Sequence, residues 1–166
     1  MEAIMIGIDD CARLLKEPIA QSLLKSRIPA RFAYTGRDGA PRVVPIWFHW
    51  NGNEIVIGTP VTAPKVKALQ KNPQVAITID EEVFPAKVLL IRGKAQLNQI
   101  EGVVPEYALA AERYLGEAQG KGWVEQARGL FPQMVRITIQ PEWVEVFDFQ
   151  SRFPSALRKA IEKAQP

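Results

Sequence analysis

The residues best suited to bind a ligand lie at the start of a predicted helix. Lys65 and Lys67 follow a loop over 59–63 that contains two threonines. The N-terminus of a helix has free backbone N–H groups and a partial positive charge, so it favours an anion, and lysine adds a formal charge. One phosphate group is the expected ligand. A solvated helix face that carries Lys65, Lys67 and Lys71 is the simpler alternative.

Side chains that commonly carry catalysis are scarce in this chain. The sequence has one cysteine, Cys11, and one histidine, His49, so a disulfide within the chain and a Cys/His zinc site are both excluded. It contains no G-x-S-x-G elbow, no G-x-G-x-x-G fingerprint and no Walker loop. The acidic run 80–82 has no second carboxylate cluster beside it, which favours a solvated turn over a metal site. We therefore predict no metal.

Aromatic side chains offer the other candidate binding surface. His49 lies in the apolar run 46–50, which favours a structural or ligand-stacking role over that of a catalytic base. It is also the only side chain suited to be an axial haem ligand. Tryptophans that could stack on a flat ligand stand at positions 47, 50, 123 and 143, and packing in the core or at an interface is the alternative for each of them.

Composition places the chain among ordinary globular proteins. It has 166 residues, 47% of them hydrophobic and 23% charged, with a net charge of +3. This length suits one domain over residues 1–166 that needs no metal or disulfide to hold its core. The N-terminal residues carry no secretory pattern, and no apolar run is long enough to span a membrane. With one cysteine, a reducing cytoplasm is the expected compartment.

Helices and strands that must position these residues can be read from hydrophobic periodicity and turn signals. Helices are predicted over 9–27 (interrupted at Pro18), 63–71, 103–129 (a pair, broken by glycines) and 154–164. The last of them should turn Ala156, Leu157, Ala160 and Ile161 inward. Strands are predicted at 31–35, 42–50, 54–59, 74–80, 87–97, 133–140 and 142–149.

The strand predicted at 42–50 is apolar on both faces. Such a strand needs the barrel core on one side and a ligand or a second chain on the other, so a homodimer is expected. Pro45 cannot donate to a strand ladder and marks an edge, a bulge or a break in pairing. Hairpin-linked strands with a few helices predict a mainly β fold, a small antiparallel barrel of six to seven strands with peripheral helices.

An ordered set of segments resembles the pyridoxamine 5′-phosphate oxidase-like superfamily of flavoproteins, whose fold is a split β-barrel. The segments are Ala-Arg-Phe-Ala-Tyr-Thr at 30–35, Pro-Arg-Val-Val-Pro-Ile-Trp at 41–47, Ile-Val-Ile-Gly-Thr at 55–59, Lys65 with Lys-Ala-Leu at 67–69, Asn-Pro-Gln-Val-Ala at 72–76, Val-Leu-Leu-Ile-Arg-Gly-Lys-Ala at 88–95, and Ile-Thr-Ile-Gln-Pro-Glu-Trp-Val-Glu-Val at 137–146.

This resemblance implies flavin mononucleotide (FMN), or the deazaflavin F420, bound at the interface of a homodimer. The phosphate would lie near Arg42, Thr59 and Lys65, with Lys67 as a further candidate, and the ring edge would run along Val44 to Trp47. Trp47 and His49 would border the substrate. The full set of implied cofactor-binding residues is Arg42, Val43, Val44, Pro45, Ile46, Trp47, Gly58, Thr59, Lys65 and Lys67.

The chain departs from the oxidases that give the superfamily its name. Those enzymes carry a Lys where this chain has Trp47, an Arg where it has Pro64 and a Gln where it has Val88, and their C-terminal signature with Arg and Trp is missing here. An indole cannot pair with a phosphate, so oxidation of pyridoxamine phosphate is not expected. Trp47 instead suits a planar, weakly charged substrate.

The expected function is therefore that of an FMN-dependent oxidoreductase acting on a small planar molecule. An F420-dependent reductase of the same fold is one alternative, and a non-enzymatic flavin- or haem-binding protein is another. No membrane partner is expected, and no nucleic acid, because the aromatic residues lie in apolar runs rather than among Lys and Arg.

Overall fold

The computed structural model describes residues 8–164, and side chains from Asp10 onward. The absence of a secretory signal is expected from the N-terminal residues 1–10, and most of these lie outside the described part of the chain. Its helices are α1 (Ile8–Leu15), α2 (Pro18–Leu24), α3 (Pro64–Lys71), α4 (Pro105–Leu115), α5 (Glu117–Leu130) and α6 (Ser155–Ala164). Its strands are β1 (Ala30–Thr35), β2 (Pro41–Ile46), β3 (His49–Trp50), β4 (Ile55–Pro60), β5 (Gln74–Asp80), β6 (Val88–Glu101) and β7 (Gln133–Phe147).

The strands form one antiparallel sheet of seven in the order β2-β1-β5-β6-β7-β4-β3. The sheet does not close, since β2 and β3 are its two ends and do not pair with each other. This is the predicted mainly β, split-barrel architecture, with six helices around it. The hydrophobic core lies on the inner face of the sheet, where Phe32, Ile57, Ile77, Ile91 and Ile137 are almost fully buried.

The prediction of one continuous strand over 42–50 is wrong. β2 ends at Ile46, Trp47 and Phe48 are outside any strand, and β3 begins at His49. The two pieces pair with different partners, β2 with β1 and β3 with β4, so the chain crosses between the two open edges of the sheet at residues 47–48. The strand is interrupted because its two pieces hydrogen-bond to strands at opposite edges of the sheet, and Trp47 in the connection therefore lies outside the sheet.

The two strands predicted at 133–140 and 142–149 form the single strand β7, which pairs with β6 along its whole length. The register shifts between Arg92 and Gly93, opposite Pro141. A Cβ on Gly93 would lie 2.3 Å from the carbonyl oxygen of Gln140, so only glycine fits this close backbone approach. The proline is accommodated at the bulge and does not end the strand.

Two predictions about the helices need correction. Gly116, with φ of 87°, does separate α4 from α5, but Gly120 and Gly122 lie inside α5. Helix α6 forms, yet none of its side chains is buried in the described part of the chain, and Leu157 is 42% exposed. Amphipathic spacing identifies the apolar face of a helix, but it does not identify a surface that covers this face.

Candidate functional site

Two stretches of chain carry the residues expected to bind the cofactor. One is the edge strand β2, and the other runs from the end of β4 through the loop 61–63 into α3. Along these stretches the structure places some of the residues at a cavity with basic side chains and others at a cavity with aromatic walls. We call them the basic cavity and the aromatic cavity.

The basic cavity encloses about 430 Å³ and is lined by Arg37, Arg42 and Lys67 together with Pro64 at the start of α3. Arg42 already has a partner, because its Nη2 donates to Oδ2 of Asp38 at 2.6 Å. This hydrogen bond lowers the pKa of Asp38, so the carboxylate stays charged. A bound anion would therefore compete with Asp38 for Arg42.

The first turn of α3 has no side-chain cap. Ala63 is the N-cap residue in an extended conformation, and no side chain of the described residues makes a capping hydrogen bond. Pro64 has no N–H group, and the N–H groups of Ala63 and Val66 donate to the carbonyl oxygens of Pro60 and Ala63, which leaves the backbone N–H of Lys65 available to an anion in this turn. Lys65 is half-buried here, burial lowers its pKa, and no carboxylate of residues 10–164 lies within 4.0 Å of its ammonium group. This desolvated charge would be stabilised by a negative ligand.

The aromatic cavity encloses about 460 Å³ between the end of β2 and the helices α4 and α5. Trp47 stacks on Tyr114, with ring centroids 5.2 Å apart and an angle of 8° between the planes. Tyr107 and Trp123 complete the wall, each 6.3 Å from Trp47, and Trp123 Nε1 donates to Tyr107 Oη at 2.7 Å. Pro45, Ile46 and Gly58 of the expected set also line this cavity.

Helix α4 reaches the sheet because Gly58 has no side chain. A Cβ at Gly58 would lie 2.7 Å from Cβ of Tyr107 and 3.1 Å from Cβ of Val104. The absence of that carbon lets the helix lie directly on β4, and this contact sets the position of Tyr107. Tyr107 cannot be recognised as a site residue from the sequence, because its separation from β4 along the chain leaves no local signal.

The other expected residues lie nearby in different environments. Val43 is 66% exposed on the edge strand, whereas the side chain of Val44 packs against the core, so only its backbone is free to meet a ligand. Thr59 is buried on β4, opposite Val135 of β7.

Behind the aromatic wall lies a cluster of polar groups. Glu106 Oε1 accepts hydrogen bonds from Nε and Nη2 of Arg136, at 3.0 and 2.6 Å, and its pKa is lowered mainly by this contact. Arg113 donates to the carbonyl oxygens of Leu24 and Phe48. His49 is half-buried on β3 and is not among the residues that line the aromatic cavity.

The charge state of His49 should make stability depend on pH. Burial and, less strongly, the Arg113 charge lower the pKa of His49 from its ordinary 6.5, against an opposing effect of Glu106. The unfolded chain therefore takes up the proton first, and the free energy of unfolding should fall as the pH drops below 6.5 toward the lowered value. Urea midpoints at about pH 7.5 and about pH 5.5 should show a larger loss in the wild type than in His49→Gln. Equal losses would contradict this role.

The described residues form neither a metal-binding cluster nor a membrane-spanning helix. No group of three or more His, Cys, Asp or Glu side chains is placed to hold a metal ion. Between residues 8 and 164, no helix combines the length and apolar character needed to cross a bilayer.

Similar solved structures share this fold. A protein described as an F420 reductase is 22% identical with a TM-score of 0.56, over 75% of this chain and 94% of that one. The haem storage protein of Vibrio cholerae is 22% identical with a TM-score of 0.57, over 80% and 93%. An FAD-binding protein of Mesorhizobium loti is 18% identical with a TM-score of 0.51, over 76% and 87%. At these identities the likeness concerns the fold alone.

Sequence comparison identifies the family. No match was found among curated protein sequences. The profile of the pyridoxamine 5′-phosphate oxidase family matches residues 17–148, which span all seven strands and both cavities. The chain belongs to the pyridoxamine 5′-phosphate oxidase family.

Proposed function

We propose that this protein is an FMN-dependent oxidoreductase that acts on a small planar molecule. The observation that carries the proposal is the link between the two cavities. Arg42 in the basic cavity and Ile46 in the aromatic cavity are four residues apart on β2, or about 13 Å. Gly58 and Pro64 join the same two cavities through β4 and α3. An elongated ligand with a phosphate at one end and a flat ring at the other matches this arrangement, with the ring edge along the backbone of β2 at the border of the aromatic cavity and the aromatic walls left for the substrate.

The residues present fit such a cofactor. Arg42, Lys67 and the desolvated Lys65 supply charge for a phosphate, and the backbone N–H of Lys65 at the start of α3 supplies a further donor. The backbone from Val44 to Trp47 would run along the ring edge, and Thr59 lies between the two cavities along the chain. When bound, a flavin would supply the hydride or electron chemistry.

The protein's own part would be to position the substrate and exclude water. Trp47, Tyr107 and Trp123 present aromatic surface to the substrate space, and none of the residues lining that cavity is charged. This environment favours a planar, uncharged molecule over a phosphate ester. It agrees with the absence of the Lys that the true oxidases carry at the position of Trp47.

We also propose a homodimer with the cofactor at its interface, located in the cytoplasm, with the whole chain as one domain. Two features support the dimer. β2 is an edge strand with unpaired backbone groups, and Val43 on it is 66% exposed. An exposed edge with apolar side chains is commonly covered by a second chain. The buried free thiol of Cys11 is compatible with a reducing compartment.

The spectrum and mass of the purified protein would test these proposals together. We expect the two absorption bands of a flavin and a sedimentation mass about twice 18.6 kDa at micromolar concentration. A single deazaflavin band would favour the F420-dependent alternative, and a sharp Soret band would favour haem binding, with His49 as the candidate axial ligand. A colourless monomer that binds no added FMN would contradict the proposal.

A further inference from the structure

The hydroxyl group of Tyr107 at the aromatic cavity has an O–H hydrogen that its hydrogen bond with Trp123 does not use. Trp123 Nε1 lies 2.7 Å from Tyr107 Oη. An indole N–H can only donate, so the oxygen of Tyr107 must accept in this hydrogen bond. The phenolic hydrogen of Tyr107 is therefore left for another partner, and the described residues offer it no acceptor within hydrogen-bonding distance.

Tyr114, in the same aromatic cluster, behaves differently. Its hydroxyl group donates to the carbonyl oxygen of Ile28 at 3.1 Å, so its hydrogen is already used inside the protein. Its ring stacks on Trp47 from outside the cavity lining. The two tyrosines thus differ in one respect that matters for a ligand: Tyr107 has a free donor and Tyr114 does not.

The remaining walls of the cavity limit what could accept this hydrogen. They consist of proline, isoleucine, glycine and tryptophan, without a charged side chain. A volume of about 460 Å³ suits a small molecule. Flat aromatic walls favour a flat guest, and the absence of an ion pair partner disfavours a charged one.

We infer that Tyr107 determines specificity in the aromatic cavity, which binds a planar, uncharged aromatic compound whose edge oxygen accepts a hydrogen bond from the Tyr107 hydroxyl. Trp123 is a positioning residue, because its N–H occupies the Tyr107 oxygen and turns the donor toward the ligand. This inference rests on the proposed function in that the aromatic cavity is the substrate site. It adds the class of substrate and the residue that recognises it.

The test compares two flat compounds that differ in one oxygen. 9-Fluorenone has a carbonyl acceptor at its edge, and fluorene has a methylene group in the same place. Equilibrium dialysis against the full-length protein, with and without FMN, gives the ratio of their affinities. In Tyr107→Phe the affinity for 9-fluorenone relative to fluorene should fall about three- to tenfold, as expected for one lost neutral hydrogen bond. The affinity for fluorene itself should stay unchanged.

Two further variants separate recognition from structure. Tyr114→Phe removes a hydroxyl from the same cluster and should leave the ratio unchanged. Trp123→Phe keeps an aromatic side chain but removes the indole N–H that bonds the Tyr107 hydroxyl, so the ratio should fall by less than in Tyr107→Phe. Circular dichroism checks that each variant folds, and if Tyr107→Phe does not, the ratio in Trp123→Phe decides.

An unchanged ratio in Tyr107→Phe, an equal fall in Tyr114→Phe, or failure of the wild type to bind either compound would overturn the inference. FMN affinity of the wild type, measured separately, tests the proposed function. If FMN fails to bind while the ratio falls in Tyr107→Phe, the proposed function fails and the recognition by Tyr107 stands. If FMN binds and the ratio is unchanged in Tyr107→Phe, the proposed function stands and the recognition by Tyr107 fails.

Discussion

Replacing Lys65 with methionine should weaken FMN binding about ten- to a hundredfold, since a charge-assisted contact contributes about 1.5–3 kcal/mol. The same change should raise the free energy of unfolding of the cofactor-free protein. Burial lowers the pKa of Lys65 with no carboxylate nearby, so the folded protein carries the cost of a desolvated ammonium group. Methionine keeps the apolar stem and removes that cost.

Lys71→Met is the matched control for this prediction. Lys71 lies at the other end of α3, is exposed and donates only to the carbonyl oxygen of Arg37 at 3.4 Å. It should change neither FMN affinity nor stability appreciably. Fluorescence titration with FMN and urea unfolding measure the two quantities. A Lys65→Met protein that binds FMN as tightly as the wild type would show that the anion site lies elsewhere.

Gly58→Ala should destabilise the fold by about 1–3 kcal/mol, the usual cost of inserting a carbon into a packed interface. The new Cβ would lie 2.7 Å from Cβ of Tyr107, which is fixed to the backbone of α4 and cannot rotate away. The helix would have to move off β4. Because α4 carries Tyr107, we also expect a change in the near-ultraviolet circular dichroism of the aromatic side chains Trp47, Tyr107 and Trp123.

Gly122→Ala is the control for this prediction, because the same substitution should stabilise the protein at this position. Gly122 lies inside α5, and a Cβ there meets no atom within 4 Å, so alanine should stabilise the helix by roughly 0.5–1 kcal/mol. Urea midpoints at constant m-value measure both changes. Wild-type stability in Gly58→Ala would mean that α4 does not lie directly on β4 in solution.

Local physical signals in the sequence were enough to predict most of the elements and the fold class. Alternating hydrophobicity or neighbouring turn residues predicted β1, β4 and β5 to within a residue, because each of these strands is short and lies beside a clear turn signal. The same signals failed where the structure of a segment depends on a pairing partner far away in the sequence. Period-two patterning cannot show that β2 and β3 pair at opposite edges of the sheet, nor that Pro141 is tolerated because Gly93 lies opposite it.

The candidate site divides in the same way. Charge, hydroxyl groups and a helix start are features of one short segment, so the sequence by itself indicated an anion site near Lys65 and a flat wall at Trp47. Only the tertiary structure brought Tyr107 and Trp123 to Trp47, through the absence of a side chain at Gly58. It also decided that Arg42 has Asp38 as a partner, while no carboxylate of residues 10–164 pairs with Lys65. Hydrogen bonds and burial between segments far apart in the chain depend on packing, which local patterning does not encode.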